Sequence, residues 1–141
     1  KLGSISEINR IVDEKLELLQ LLDSADKMPA DISGGMKKRA GLARAIVRNP
    51  SIILYDEPTS GLDPVMSARI NDMITRMKSE LGVTSVVVTH DMVSAYNIAD
   101  RIAMLYNGSI IECGTPEQIR GSSSPIVRQF IEGSLGGPID V

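Results

Sequence analysis

The chain of 141 residues has no tryptophan, one phenylalanine and three tyrosines. So few aromatic rings leave no stacking platform for bases or sugars. One cysteine, Cys113, rules out an internal disulfide framework and fits a reducing compartment. Positive charge is not in excess: 15 Lys and Arg face 18 Asp and Glu, for a net charge of −3. That balance argues against a general affinity for nucleic acid or anionic lipid. No apolar run approaches the roughly 20 residues of a membrane span, and no stretch reads as a secretory signal. A membrane role would therefore come through a partner. Glycine is not scarce, with twelve residues, yet none is followed by lysine. What remains is 43% apolar and 23% charged, the composition of a folded domain. At this length roughly 68–70% of the unfolded surface can be buried.

Local patterns set out the elements. Ser4 with Glu7 reads as a capping box ahead of an amphipathic helix bearing Ile8, Ile11, Val12, Leu16, Leu19 and Leu22. Asp23 to Pro29 reads as a loop. A second helix is expected from Gly34 to Val47, ended by Asn49-Pro50. Ile52-Ile53-Leu54-Tyr55 is a continuous apolar run, expected as a strand buried on both faces. Asp63-Pro64 opens a third helix with a core stripe of Ile70, Met73, Ile74, Met77 and Leu81, closed by Gly82. Val83 to Thr89 is a second buried strand, so the three elements predict a parallel βαβ unit. A short helix over Met92 to Ala99 follows. Strands Ile102 to Tyr106 and Ser109 to Cys113 flank the hairpin turn Asn107-Gly108. Thr115 to Gln118 is a second capping box, Ser124-Pro125 opens a last helix to about Glu132, and Gly133 to Val141 reads as an extended tail.

Polar groups collect where these elements begin and end. Asp56 and Glu57 leave the first strand; Asp56 suits Mg²⁺, and Glu57 suits orienting a nucleophilic water. Pro58 is expected to keep Glu57 extended. His90 directly follows the neighbouring strand, which predicts the same sheet edge. Ser33-Gly34-Gly35 opens a helix, where unobstructed N–H groups and the helix dipole favour an anion. Ser60 to Asp63 lies between the acidic pair and the next helix. Plainer readings cover the rest: Lys37-Lys38-Arg39 as a solvated helix face, Met73, Met77 and Met104 as core, Cys113 as an inert small side chain, and Phe130 as a packing residue.

The ordered set resembles the ATPases of ABC transporters. Ile32-Ser33-Gly34-Gly35-Met36 resembles their signature motif. Leu54-Tyr55-Asp56-Glu57, starting 21 residues after Ser33, is similar to Walker B; Ser60 to Asp63 resembles the D-loop, and His90 the switch histidine. The resemblance spans roughly residues 30 to 118. It implies an α/β fold: part of a P-loop NTPase (RecA-like) parallel-sheet core with a helical signature subdomain. In that layout residues 1–49 belong to the helical subdomain, 50–120 to the core, and 121–141 to a helix and tail. The resemblance also implies roles. Ser33, Gly34, Gly35 and Met36 grip the γ-phosphate of ATP held by a second copy in a head-to-tail dimer. Asp56 serves Mg²⁺, Glu57 is the general base, His90 holds the γ-phosphate, and Asp63 couples the two sites.

A P-loop, G-x-x-x-x-G-K-[ST], is absent from the chain. The expectation is a C-terminal portion whose P-loop, adenine-stacking aromatic and glutamine loop lie upstream of Lys1. Such a piece should not hydrolyse ATP alone, and it should self-associate through its sheet edge, tail or signature helix. Met36 in place of the usual Gln, Lys27-Met28-Pro29, and the tail Val127 to Gly133 with Gly137-Pro138 resemble the Mla or Mce-associated phospholipid-trafficking branch. That branch implies a permease, a small STAS-domain protein as partner, and the cytoplasmic face of a bacterial inner membrane. Other readings stand beside it: an importer ATPase for amino acids or metabolites, a non-catalytic dimerising module, and an ATPase of DNA repair or translation. The acidic charge and the lack of long heptads count against the last.

Overall fold

The computed structural model describes residues 3–140. The chain divides into two compact units, Lys1–Thr89 and His90–Val141.

In the first unit, helix α1 (Ile5–Leu18) starts at Ser4, whose Oγ accepts the Glu7 N–H. Ile8, Ile11 and Leu16 are only half-buried; burial begins just past the helix, at Leu19 and Leu21. Gln20 there adopts φ +54°. Arg39 holds that turn, donating from one nitrogen to the carbonyls of Leu19 (3.1 Å) and Gln20 (3.0 Å). Short 3₁₀ turns at Leu22–Ser24 and Pro29–Asp31 fill the expected loop. Helix α2 (Gly34–Ile46) buries Leu42, Ala43 and Ile46.

Strand β1 (Ile52–Asp56) pairs in parallel with β2 (Thr84–Val88), Leu54 opposite Val86 and Asp56 opposite Val88. Helix α3 (Pro64–Leu81) connects them, capped by Asp63 and closed by Gly82 at φ +65°. Its inner face buries Ile70, Met73, Ile74 and Met77, four of the five residues of the stripe that helical periodicity predicts, and leaves Leu81 half-buried. Burial of the strands is a correction. Ile53 and Tyr55 are buried, but Ile52, Leu54, Val86 and Val88 are 49–77% exposed. A parallel sheet is buried on both faces only when helices cover both. Here Ile53 and Tyr55 share a cavity with Leu42 of α2 and Ile70 of α3, and among the described residues no layer covers the opposite face.

In the second unit, helix α4 (Met92–Ile98) precedes an antiparallel hairpin of β3 (Ile102–Tyr106) and β4 (Ser109–Gly114). Asn107 (φ +47°) and Gly108 (φ +75°) form the left-handed turn that suits strand twist. Helix α5 (Pro116–Arg120) has the full reciprocal box between Thr115 and Gln118. Helix α6 (Pro125–Glu132) ends at Gly133. Ile102, Met104, Ile119 and Val127 form the core.

The tail is the second correction. Its segment after Gly133 is not extended but folds back on α6. The buried Gln129 amide donates to the carbonyls of Ser134 (3.3 Å) and Ile139 (3.1 Å) and accepts the Ile139 N–H (2.7 Å). One primary amide thus satisfies both backbone groups of Ile139, which outweighs the chain entropy that favours extension. Val141, part of the expected tail, lies outside the described residues.

Candidate functional site

Helix α2 begins at Ser33, whose backbone is extended (φ −66°, ψ 163°) and whose Oγ accepts the Met36 N–H at 3.3 Å. The Ser33 carbonyl accepts the Lys37 N–H at 2.9 Å. By helix geometry the N–H groups of Gly34 and Gly35 have no intrahelical acceptor and point out of the N-terminus. The two glycines differ. A Cβ on Gly35 would meet Cε of Met66, so a side chain there would require the end of the Met66 side chain to move. A Cβ on Gly34 would meet nothing within 4 Å, so the fold itself leaves that space empty. An oxyanion fits there, with two donors and the positive helix end facing it.

Asp56 is exposed at the end of β1. Among the described residues no three His, Cys, Asp or Glu side chains group as a metal site. A single carboxylate nevertheless suits Mg²⁺, which keeps several waters and takes phosphate oxygens as further ligands. The donor set therefore fits a metal that arrives with a nucleotide. Behind Asp56, burial pushes the Tyr55 phenol above its usual pKa, with Ser85 opposing, so Tyr55 is a neutral wall.

Glu57 is half-buried and departs from expectation: its φ is +45°, left-handed, not extended. Pro58 does disfavour the right-handed helical region for the residue before it. The hydrogen bonds then select the left-handed alternative. The Glu57 N–H donates to the Val88 carbonyl (2.9 Å), and its own carbonyl accepts the Ser60 N–H (3.2 Å), closing a turn over the buried Pro58 and Thr59. Thr89 Oγ1 donates to Glu57 Oε2 at 3.4 Å. Chain reversal at Glu57 thus keeps the carboxylate beside Thr89, the residue just past β2.

Asp63 is exposed and caps α3, its Oδ1 accepting the N–H groups of Val65 (2.9 Å) and Met66 (3.0 Å). Asp63 thereby orders the helix whose Met66 packs against Gly35. His90 is exposed and opens the second unit, next to the cap Asp91. Ser94 lowers the Asp91 carboxyl pKa through its hydroxyl; burial opposes this, and the N–H groups of Ser94 and Val93 and the charge of His90 add to it. Ser33, Gly34, Gly35, Met36, Asp56, Glu57 and Asp63 therefore share the first unit, and His90 belongs to the second.

Two side chains of Lys37-Lys38-Arg39 depart from a solvated face, while Lys37 is exposed as expected. Arg39 is spent on the end of α1, and desolvation, followed by the nearby Arg69, lowers its pKa. Lys38 is half-buried and donates from Nζ to the Glu57 carbonyl at 3.1 Å. That partnership spans 19 residues, and helical periodicity carries no signal for it. Thr89 was equally silent; only its place immediately before His90 marked it.

The ABC transporter family model matches residues 5–60. A probable ribonucleotide transport ATP-binding protein, mkl, of Mycobacterium leprae is 46% identical over 134 residues, 95% of this chain and 39% of that protein. The chain belongs to the ABC transporter ATP-binding family. The intermembrane phospholipid transport ATP-binding protein MlaF of Escherichia coli is 41% identical over 125 residues, covering 89% of this chain and 46% of MlaF. The dimeric structure of MJ0796, a bacterial ABC transporter cassette, superposes with a TM-score of 0.71 at 33% identity, over 82% of this chain and 50% of that one. The chain spans about half or less of the length of these relatives. The expected fold class, an ABC-type P-loop NTPase in part, stands.

Proposed function

We propose that this chain supplies the signature helix and the catalytic carboxylate turn of an ATP-hydrolysing ABC transporter subunit, with the P-loop contributed by other polypeptide. The observation that carries this reading is Gly34, a glycine at a helix start whose side-chain space no part of the chain occupies. In this reading the N–H groups of Gly34 and Gly35, with Ser33 and Met36, grip the γ-phosphate of ATP bound to a second subunit. Asp56 would hold the Mg²⁺ that accompanies the nucleotide, and the metal would supply neutralisation of developing phosphate charge. Glu57 takes a proton from water as the water oxygen attacks the γ-phosphorus and the bond to the ADP oxygen breaks. His90 holds the γ-phosphate, and Asp63 links the two sites through the helix it caps. Catalysis of this type is positioning and electrostatics. Residues 1–49 serve the helical part, 50–120 the ATPase core, and 121–141 the C-terminal helix and tail.

The dimeric state of the similar cassette MJ0796 supports a second subunit as partner. No helix among the described residues is long and apolar enough to cross a membrane. A transmembrane permease, at the cytoplasmic face of the inner membrane, would couple hydrolysis to transport. Phospholipid is the cargo we favour, on the likeness to MlaF, on Met36 and on the tail of α6; a STAS-domain partner goes with that branch. A polar cargo is the second reading, favoured by the 46% identity to the mkl protein.

The test is ATP hydrolysis by this chain assembled with a P-loop-bearing polypeptide, against Glu57→Gln. A loss on the order of 10²–10³ in rate is expected. An unchanged rate rejects Glu57 as the base, and ATP hydrolysis by the chain alone rejects the need for a P-loop elsewhere. Transfer of labelled phospholipid, against that of labelled ribonucleotide, by permease-containing vesicles separates the cargoes.

A further inference from the structure

We propose that Lys38 is a positioning residue for Glu57, tying the phosphate-gripping helix α2 to the turn that carries the water-activating carboxylate. The proposal rests on the reading of Glu57 given above and extends it to a side chain with no place in that set of roles.

The geometry is specific. Lys38 Nζ donates to the Glu57 carbonyl at 3.1 Å, and the same oxygen accepts the Ser60 N–H at 3.2 Å. Both bonds bear on a residue at φ +45°, in the left-handed region that residues with a side chain disfavour. Such a conformation persists only where the surroundings impose it. The bonds from Val88, Ser60 and Thr89 arise within the sheet edge and the turn itself. Lys38 reaches in from another element. It stands four residues after Gly34, one helical turn, or about 6 Å along the axis. Helix α2 carries both Gly34 and Lys38 within its 13 residues. Displacement of its N-terminus by a phosphate therefore shifts Nζ, and with it the carbonyl of Glu57. Lysine suits this role, because its ammonium offers three donors at the end of an apolar stem long enough to reach the Glu57 carbonyl from α2.

The test uses Lys38→Met, which keeps the stem and removes the donors, and Lys38→Arg, which keeps a cationic donor. Two readouts are paired. The first is hydrogen exchange of this chain. In Lys38→Met the Ser60 amide should exchange about tenfold faster, with α2 and β1 unchanged. The second is steady-state hydrolysis with a P-loop-bearing polypeptide. In Lys38→Met kcat should fall about tenfold with KM within about twofold, and Lys38→Arg should recover most of it. A purely structural lysine would instead speed exchange throughout α2 and β1 and leave the kcat-to-KM split unmoved, which overturns the proposal. So does Lys38→Met with unchanged Ser60 exchange and unchanged kcat. Should Lys38→Met not fold, Lys38→Gln is read against the same two measures. Glu57→Gln in parallel keeps the two readings apart. If it leaves hydrolysis intact, the base assignment has failed, whereas the Ser60 exchange still reports on the Lys38 tie.

Discussion

Replacing Glu57 by glycine should make the protein more stable than replacing it by alanine, although both remove the carboxylate. Glu57 sits at φ +45°. A Cβ in that region costs about 1–2 kcal/mol relative to the right-handed form. Glycine escapes the cost but has more freedom in the unfolded chain, which offsets roughly 0.4–1 kcal/mol. Both variants forgo the 3.4 Å bond from Thr89 to Oε2. That bond is long and half-exposed, so its loss costs both variants about 0.5 kcal/mol or less. Glu57→Gly should therefore exceed Glu57→Ala by about 0.5–1 kcal/mol. Urea unfolding followed by far-UV circular dichroism measures this directly. With an m-value of roughly 1–3 kcal/mol/M, the midpoint difference is a few tenths of a molar. Glu57→Gln should track the parent, because it retains the conformation and the length of the side chain. If Glu57→Gly is no more stable than Glu57→Ala, the left-handed backbone costs nothing, and the idea that the neighbours hold the carboxylate in a strained pose is wrong.

Gly34→Ala should leave thermal stability unchanged or raise it by up to about 1 kcal/mol, since the new Cβ meets no atom of the chain. It should lower assembled ATPase activity by about tenfold or more by filling the oxyanion space; a variant that is destabilised and fully active would contradict this. Asp91 has its pKa lowered chiefly by the Ser94 hydroxyl. Its contribution is therefore complete above the unfolded carboxylate value of about 3.9 and is lost as pH falls through the lower folded value. Urea midpoints taken from pH 6 down to pH 2 should show Asp91→Ala less stable by about 1 kcal/mol at pH 6, from the lost cap, and converging on the parent in acid; parallel curves would refute the assignment. Gln129→Ala strands the backbone groups of Ile139. It should cost about 1–3 kcal/mol and speed proteolytic cleavage near Gly136-Gly137, whereas equal protease resistance would show that the amide does not hold the tail.

Much of the local structure could be read before any coordinates. The N-caps Ser4, Ser33, Asp63 and Thr115 behave as local rules demand, because a cap concerns only a side chain and N–H groups two or three residues on. The parallel pairing of β1 with β2 followed from two apolar runs around one helix. These are short-range effects, written in consecutive residues. The family was legible for the same reason: its motifs are short runs of consecutive residues at strand and helix ends.

Where expectation failed, a partner distant in sequence had decided the outcome. Pro58 could tell that Glu57 is not right-handed helical, but choosing between extended and left-handed took the acceptor on Val88 and the donors on Ser60 and Lys38. Arg39 and Lys38 look like solvent-facing charges in a basic triplet until packing sets one on the end of α1 and the other on Glu57. Gln129 gave no hint that it would bind the main chain ten residues on. Likewise an apolar strand reports that it could be covered on both sides, while only the surrounding layers decide whether it is, as the exposure of Leu54 and Val88 shows. Sequence alone thus determined the elements and their caps, since those depend on neighbours within a turn. Tertiary structure decided which backbone carbonyls the long cations found and which conformation the key carboxylate took, since those depend on groups that only folding brings together.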